Sequence, residues 1–270
     1  MMTISLRFPA AVSRQRELWW RLTEREIAGR YRGSVLGWSW TFLTPLLMLA
    51  VYTFVFTEVF KSRWGNMEHA GPLGFAINLF AGLIVFNVFA ETASKSPSLV
   101  LENSALVTKV IFPVEVLSAV CVTAACFHAL TSLAVLILFC LVANGGVPLT
   151  MLWLPLVWLP LALGCLGMGW LLSALGVFLR DLGQVVAVVV SLMMFMSTVF
   201  YPLSALPSHW RPLLKLNPLV QVIEQTRQVA INGDPPSALY LCLGIPIALL
   251  GCEISFRLFQ KAKRGFADVL

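Results

Sequence analysis

Apolar residues in this chain come in long uninterrupted blocks, and the polar ones are gathered between them. Six blocks can be delimited, at 35–60, 72–93, 114–143, 149–179, 185–201 and 238–259. A helix needs about 20 residues to cross a hydrocarbon core about 30 Å thick, so the pattern predicts six membrane spans, the fifth being the shortest. No block shows the ten-residue alternation of a membrane β-barrel. Helices remain, because a segment in lipid must satisfy its own backbone hydrogen bonds. The expected fold is an all-α integral membrane protein, one domain over residues 1–270.

The polar intervals carry the candidate working parts. Residues 14–33, RQRELWWRLTEREIAGRYRG, read as a helix at the membrane interface, where arginines and tryptophans sit well together. Its amphipathicity is moderate: Trp20, Ile27 and Tyr31 share one face, and Leu18, Trp19 and Leu22 another. A basic leader that only fixes orientation fits the same stretch. In the second interval, 96–113, Leu99, Val100, Leu106 and Val110 recur at helical spacing, with Lys95, Glu102, Asn103 and Lys109 among them. A short surface helix with one face free for a partner would look like this, and so would a plain connector.

The third interval, 202–236, predicts a pair of small helices. Asn217 followed by Pro218 is a cap and first helical position. Leu219, Val222, Ile223, Thr226, Val229 and Ala230 then form one stripe, and Asn232-Gly233 stops it. Preceded by SHWRPLLKL, this is either a re-entrant, gating hairpin or a surface cap.

Composition agrees with a membrane protein and adds its orientation. The chain has 270 residues, 59% hydrophobic and 12% charged, with a mean hydropathy of +0.84. With six spans, fourteen of the 19 lysines and arginines fall on the face that holds both termini, which the positive-inside rule places in the cytoplasm. The net charge of +6 is then a topology signal and not one for nucleic acid. The first 34 residues are Arg-rich and lack the apolar core of a cleavable signal peptide.

Several kinds of chemistry lack their motifs. The six cysteines include no CxxC pair, so neither a disulfide framework nor a zinc site is indicated, and small thiols at helix contacts account for them. There is no phosphate loop, GxGxxG or GxSxG. The three aspartates, 181, 234 and 268, are far apart, and the three histidines, 69, 128 and 209, have no nucleophile arrangement beside them. Glu91, Glu115 and His128 fall within or at the edge of spans, where ionisable groups are functional candidates. Only His128 is deep, and sequence names no partner for it. Hydrogen-bonded packing and a proton relay both fit.

In the first span Trp38, Phe42, Tyr52, Phe56 and Phe60 fall within about 80° of the helix circumference, with Pro45 on the same face. Such a face packs on lipid or a neighbouring helix, or lines a path in which rings stack on sugars. The fourth and fifth spans are joined by a tight turn, LRDLGQ. Spans without a catalytic constellation point to transport or scaffolding.

The block RYRGSVLGWSWTFLTPLLMLAVYTFVF at 30–56 resembles the permease subunits of ABC transporters that export polysaccharides, most closely O-antigen (Wzm-type) and teichoic-acid exporters. ENSALVTKVIFP, Arg180-Asp181, and YPLSALP followed by NPLVQVIEQTR extend the likeness across nearly the whole chain. Group-2 capsule permeases are more distant at YRGSVLGW. The resemblance implies a homodimer of six-span subunits in the bacterial inner membrane, carrying two cytosolic ABC ATPases that hold the ATP and magnesium, with no cofactor in this chain.

On the same resemblance the loop with Leu99, Glu102, Asn103, Leu106 and Lys109 takes up ATPase movement. The hairpin with Tyr201, Trp210, Asn217 and Pro218 is a periplasmic gate. The first and fifth spans line the conduit, with the aromatic face Trp38, Phe42, Tyr52, Phe56 and Phe60. The substrate implied is a lipid-linked polysaccharide, its headgroup near Arg25, Arg30 and Arg32. The alternatives are a permease for capsule polysaccharide, teichoic acid, a drug or another lipid, and an intramembrane enzyme.

Overall fold

A computed structural model of the chain describes residues 8–55, 71–105 and 112–269. Phe56, Phe60, Leu106 and Lys109 lie outside the described residues. The described residues form helices and connecting turns, with no strand among them. In chain order the helices are α1 (Phe8–Ser13), α2 (Arg16–Tyr31), α3 (Trp40–Phe54), α4 (Gly71–Lys95), α5 (Leu99–Glu102) and α6 (Glu115–Asn144). They continue with α7 (Leu154–Phe178), α8 (Leu182–Met196), α9 (Arg211–Lys215), α10 (Pro218–Arg227), α11 (Ala238–Ala262) and α12 (Phe266–Val269).

Four helical stretches are long and apolar enough to cross a membrane: Leu73–Glu102, Glu115–Val142, Leu149–Phe178 and Ala238–Gly265. The protein is thus a multi-pass membrane protein. Of the other two predicted spans, α8 has 15 residues, about 22 Å at 1.5 Å per residue, shorter than a core about 30 Å thick. α3 has 15 residues up to Phe54, and its apolar block runs on beyond the described residues. The fifth apolar block, 185–201, yields a helix only to Met196, because the chain turns at Thr198 with φ 56°.

α4 is enclosed by the rest of the fold. Of its most apolar stretch 72% is buried, against 28%, 22% and 22% for the corresponding stretches of α6, α7 and α11. It packs against α3, α6, α7, α8 and α10. Its sequence explains the placement: from Phe75 to Ala90 the only strongly polar side chains are Asn78 and Asn87, and a helix that is apolar all round belongs inside a bundle.

α7 holds the opposite wall through small residues, which let helix backbones approach closely. A Cβ on Gly167 would meet Cys252 Cα of α11 at 3.2 Å, and one on Gly169 would meet Ser118 Cβ of α6 at 3.3 Å. A second apolar cluster joins the two ends of the chain. Phe8 and Phe256 both stack on Trp170, with ring centres at 6.0 and 4.8 Å, and Phe259 and Phe266 are buried beside them.

α2 docks on α6. Trp19 Nε1 donates to Thr123 Oγ1 at 3.1 Å, and among the described side chains of the helix only Thr23 and Ile27 are buried. That stripe is narrow and mixed. Trp20 is 57% exposed although it shares a helical face with Ile27, so α2 is held by specific contacts more than by a broad apolar side.

Candidate functional site

The groups of interest gather at the two ends of α4. At its Lys95 end the helix runs through a tight turn, Ser96–Ser98, into α5. Ser96 Oγ donates to Thr92 O at 2.6 Å and Asn103 Nδ2 to Leu99 O at 2.8 Å, which closes the orphan carbonyls of the turn. Ser96, Pro97 and Val100 are buried against α7, Leu99 and Asn103 are half-buried, and Glu102 is exposed. Gly176 of α7 makes this docking possible, since a Cβ there would run into the Pro97 carbonyl. The segment therefore has one seated face and one open face.

Beside it lies a cluster of ions that draws on three helices. Glu91 of α4 accepts from Arg30 Nη1 of α2 at 3.1 Å, and Lys95 Nζ lies 3.1 Å from the same carboxylate. His128 Nδ1 of α6 sits 3.0 Å from Glu91 and 2.9 Å from Arg30 Nη1. Lys95 also donates to Glu26 of α2 at 2.9 Å. The histidine for which sequence named no partner thus has two, and Glu91, spaced too far from it to be matched in sequence, is the centre of the group. Glu115, the third ionisable candidate, pairs with Lys263 at 2.8 Å.

Of the three arginines singled out, Arg30 is spent in this cluster. Arg25 and Arg32 instead line an open hollow of about 390 Å³ together with Ala28, Gly29 and Trp38. Of the aromatic set of the first apolar block, Trp38, Phe42 and Tyr52 are among the described residues. A 3₁₀ turn at Gly37–Ser39 precedes α3, Trp38 stacks edge-on against Phe127 at 6.2 Å, and Trp38 and Phe42 are exposed. Tyr52 is half-buried against the main core.

At the other end of α4 sits α10, capped as its sequence predicts. Asn217 Oδ1 accepts from Leu219 N at 3.0 Å, with Pro218 in the first turn. All six stripe residues, Leu219, Val222, Ile223, Thr226, Val229 and Ala230, are buried. Gly233, at φ 79°, ends the segment in the left-handed conformation that favours glycine. α9 before it has no buried residue, and Trp210 is exposed beside His209.

Side chains from this hairpin region close the end of α8. Tyr201 Oη donates to Phe195 O at 2.7 Å and Asn217 Nδ2 to Met196 O at 3.2 Å. Arg227, 3% exposed, donates through Nη2 to Val199 O and through Nε to Asn78 O of α4, both at 3.0 Å. Its Nη1 pairs with Glu224 at 2.9 Å. Gly82 of α4 leaves room for it, because a Cβ there would lie 2.8 Å from Nη2. Sequence reading passed over Arg227 and Gly82. The available signal is a cation placed inside the span of the apolar stripe, directly after Thr226, with Glu224 three residues before it.

Among the described residues no group of His, Cys, Asp and Glu could hold a metal ion. Cys121, Cys140, Cys165 and Cys252 are buried, Cys126 is half-buried, and Cys242 is exposed.

The profile of a family described as ABC-2 type transporter matches residues 17–231. The chain is 31% identical over 253 residues to an O-antigen export system permease protein RfbA of Myxococcus xanthus, covering 92% of this chain and 93% of the relative. It is 27% identical over 254 residues, with the same coverage, to RfbA of Klebsiella pneumoniae. To the polysialic acid transport protein KpsM of Escherichia coli it is 25% identical over 220 residues, covering 77% and 79%.

Proposed function

The chain belongs to the ABC-2 type transporter family, and from that premise we propose that it is the membrane subunit of an exporter for a lipid-linked polysaccharide, O-antigen or a similar surface glycan. The observation that carries the reading is the likeness to O-antigen export permeases over 92% of the chain. The shorter match to KpsM keeps a capsule polysaccharide as the second reading. In either case the chain works as two copies in the bacterial inner membrane, both termini cytoplasmic, with two ABC ATPase subunits supplying the energy from bound ATP and magnesium.

The physical need is plain. Burying an unpaired hydroxyl costs roughly 2 to 7 kcal/mol, so one sugar with several of them faces a barrier on the order of ten kcal/mol or more in bare lipid. A glycan requires an enclosed path. α3 and α8 complete six spans, and their open faces, with Leu47, Val51 and Phe54 on one and Val188, Leu192 and Phe195 on the other, wall that path where two copies meet. Arg25 and Arg32 take the pyrophosphate of the lipid carrier in the hollow beside Trp38, leaving Arg30 to hold α2 on α4.

The segment from Ser96 to Lys109 receives the push of the ATPase. Its seated face on α7 passes displacement into the bundle, and Glu102 belongs to the face left for the partner. α9 and α10, at the other end of α4, form the periplasmic gate.

Affinity purification of the tagged chain from its own membranes tests the reading. An ATPase with a nucleotide-binding motif is expected to co-purify, and deletion of the chain is expected to remove a surface glycan that the plasmid copy restores. Unchanged surface glycan in the deletion strain, or glycan transport by the purified chain without nucleotide, would overturn it.

A further inference from the structure

We propose that Arg227 is the positioning residue through which the gate hairpin follows α4, so that movement of the segment after Lys95 reaches the opposite end of the same helix. The inference rests on the gate and coupling reading above and adds the link between them. Three observations carry it. α4 runs unbroken to Lys95 and passes directly through the Ser96–Ser98 turn into α5, with no loop between them. From Asn78 to Lys95 that rod spans roughly 26 Å at about 1.5 Å per residue, and it is the most enclosed of the long helices. At its far end it is gripped by a single buried guanidinium.

The grip has a geometry that a simple packing contact lacks. Arg227 uses Nε on Asn78 O, Nη2 on Val199 O and Nη1 on Glu224, so one rigid fork joins α4, the end of α8 and α10. Breaking a buried pair leaves an uncompensated charge, which makes sliding of α10 along α4 costly. α10 moves with α4. The yielding point is instead next to Val199: Thr198 is a β-branched residue at φ 56°, buried, with its Oγ1 making no hydrogen bond. A strained position of this kind is a place where the chain can change direction, so the α8 end bends while the α4–α10 contact holds.

The test uses the whole complex with its ATPase in lipid nanodiscs, which leave both membrane faces open to reagent and nucleotide, on a chain in which the exposed Cys242 is replaced by Ser. Ser208→Cys reports the hairpin and Ala105→Cys the segment after α5, both read by labelling with a membrane-impermeant maleimide, without nucleotide and with MgATP plus vanadate. In the parent, nucleotide is expected to change labelling at both positions by at least about fivefold, the lower end of ordinary allosteric coupling.

With Arg227→Gln the change at residue 105 and ATP hydrolysis are expected to persist, while the change at residue 208 disappears and glycan export in cells stops. Arg227→Lys, with one compact ammonium in place of the fork, is expected to restore only part of the response. A full response at residue 208 in Arg227→Gln overturns the proposal. If Arg227→Gln is lost from the membrane, Gly82→Ala displaces the guanidinium with Arg227 still present. A full response there overturns it equally. No response at residue 208 in the parent overturns the gate reading itself and this link with it, whereas no response at residue 105 in the parent removes the coupling segment.

Discussion

The two ends of α4 are secured by opposite means. At the Lys95 end several charges share the task. Glu91 meets Arg30, Lys95 and His128, and their side chains keep 16 to 50% of their surface open, so each contact is partly screened by solvent and individually weak. At the Asn78 end one buried cation serves two carbonyls and a carboxylate, and the guanidinium itself is 4% open while Glu224 is one-third open. A shared, half-open cluster tolerates rearrangement; a single buried fork does not. The difference suits an end that must yield to a partner and an end that must keep its register.

Substitutions can break that contrast in order of size. Arg227→Ala should have the largest effect, about 3 to 5 kcal/mol lost, the usual result of removing one partner from a buried ion pair, read as a large drop in thermal unfolding temperature in detergent. A loss under about 1 kcal/mol would mean that the site is wet and the contrast unreal. Gly176→Val comes next, at about 1 to 3 kcal/mol for overpacking. Its distinguishing sign is local: the Ser96–Ser98 turn should lift from α7 and become a protease-sensitive site.

Glu91→Gln tests the other end. It leaves Arg30, Lys95 and His128 without their common anion, and the loss of one hydrogen-bonded charge that is mostly buried is worth about 1 to 3 kcal/mol. Because four groups from three helices share the cluster, the effect should fall near the lower limit, and α2 should exchange its amide hydrogens faster while α10 does not. Faster exchange in α10 would contradict the separation of the two ends. Thr198→Gly should have the smallest effect and the opposite sign. Relief of about 1 to 2 kcal/mol of left-handed strain, offset by the extra chain entropy of glycine of about 0.5 to 1 kcal/mol, leaves a small gain in unfolding temperature.

Sequence reading located the parts better than it joined them. The cap at Asn217-Pro218, the buried stripe from Leu219 to Ala230 and the stop at Gly233 were legible because capping and helical periodicity are local rules. The segment after Lys95 reads equally as a surface helix and as a plain connector, and what its turn sits on is not legible, because Gly176 lies some 80 residues further along and a glycine in an apolar helix carries no address. His128 was recognised as deep and left without partners, since Glu91 and Arg30 reach it from other helices. The aromatic set of the first block was grouped by angle alone. Of its described members Trp38 and Phe42 are exposed and Tyr52 is half-buried, because which side of a helix is packed depends on its neighbours.

The sequence alone determined that this chain lives in a membrane, that it is helical, where its polar segments fall and which transporter family it resembles, because hydropathy, capping and motif order are written along a single strand. Only the tertiary structure decided that α4 is the enclosed helix, that Arg30 is committed to Glu91 and His128, and that Arg227 fastens α10 to both α4 and the end of α8. The reason is physical: in an apolar chain nearly any helix face can pack against any other, so partners are chosen by the fit of small residues and by the few buried charges that must be satisfied.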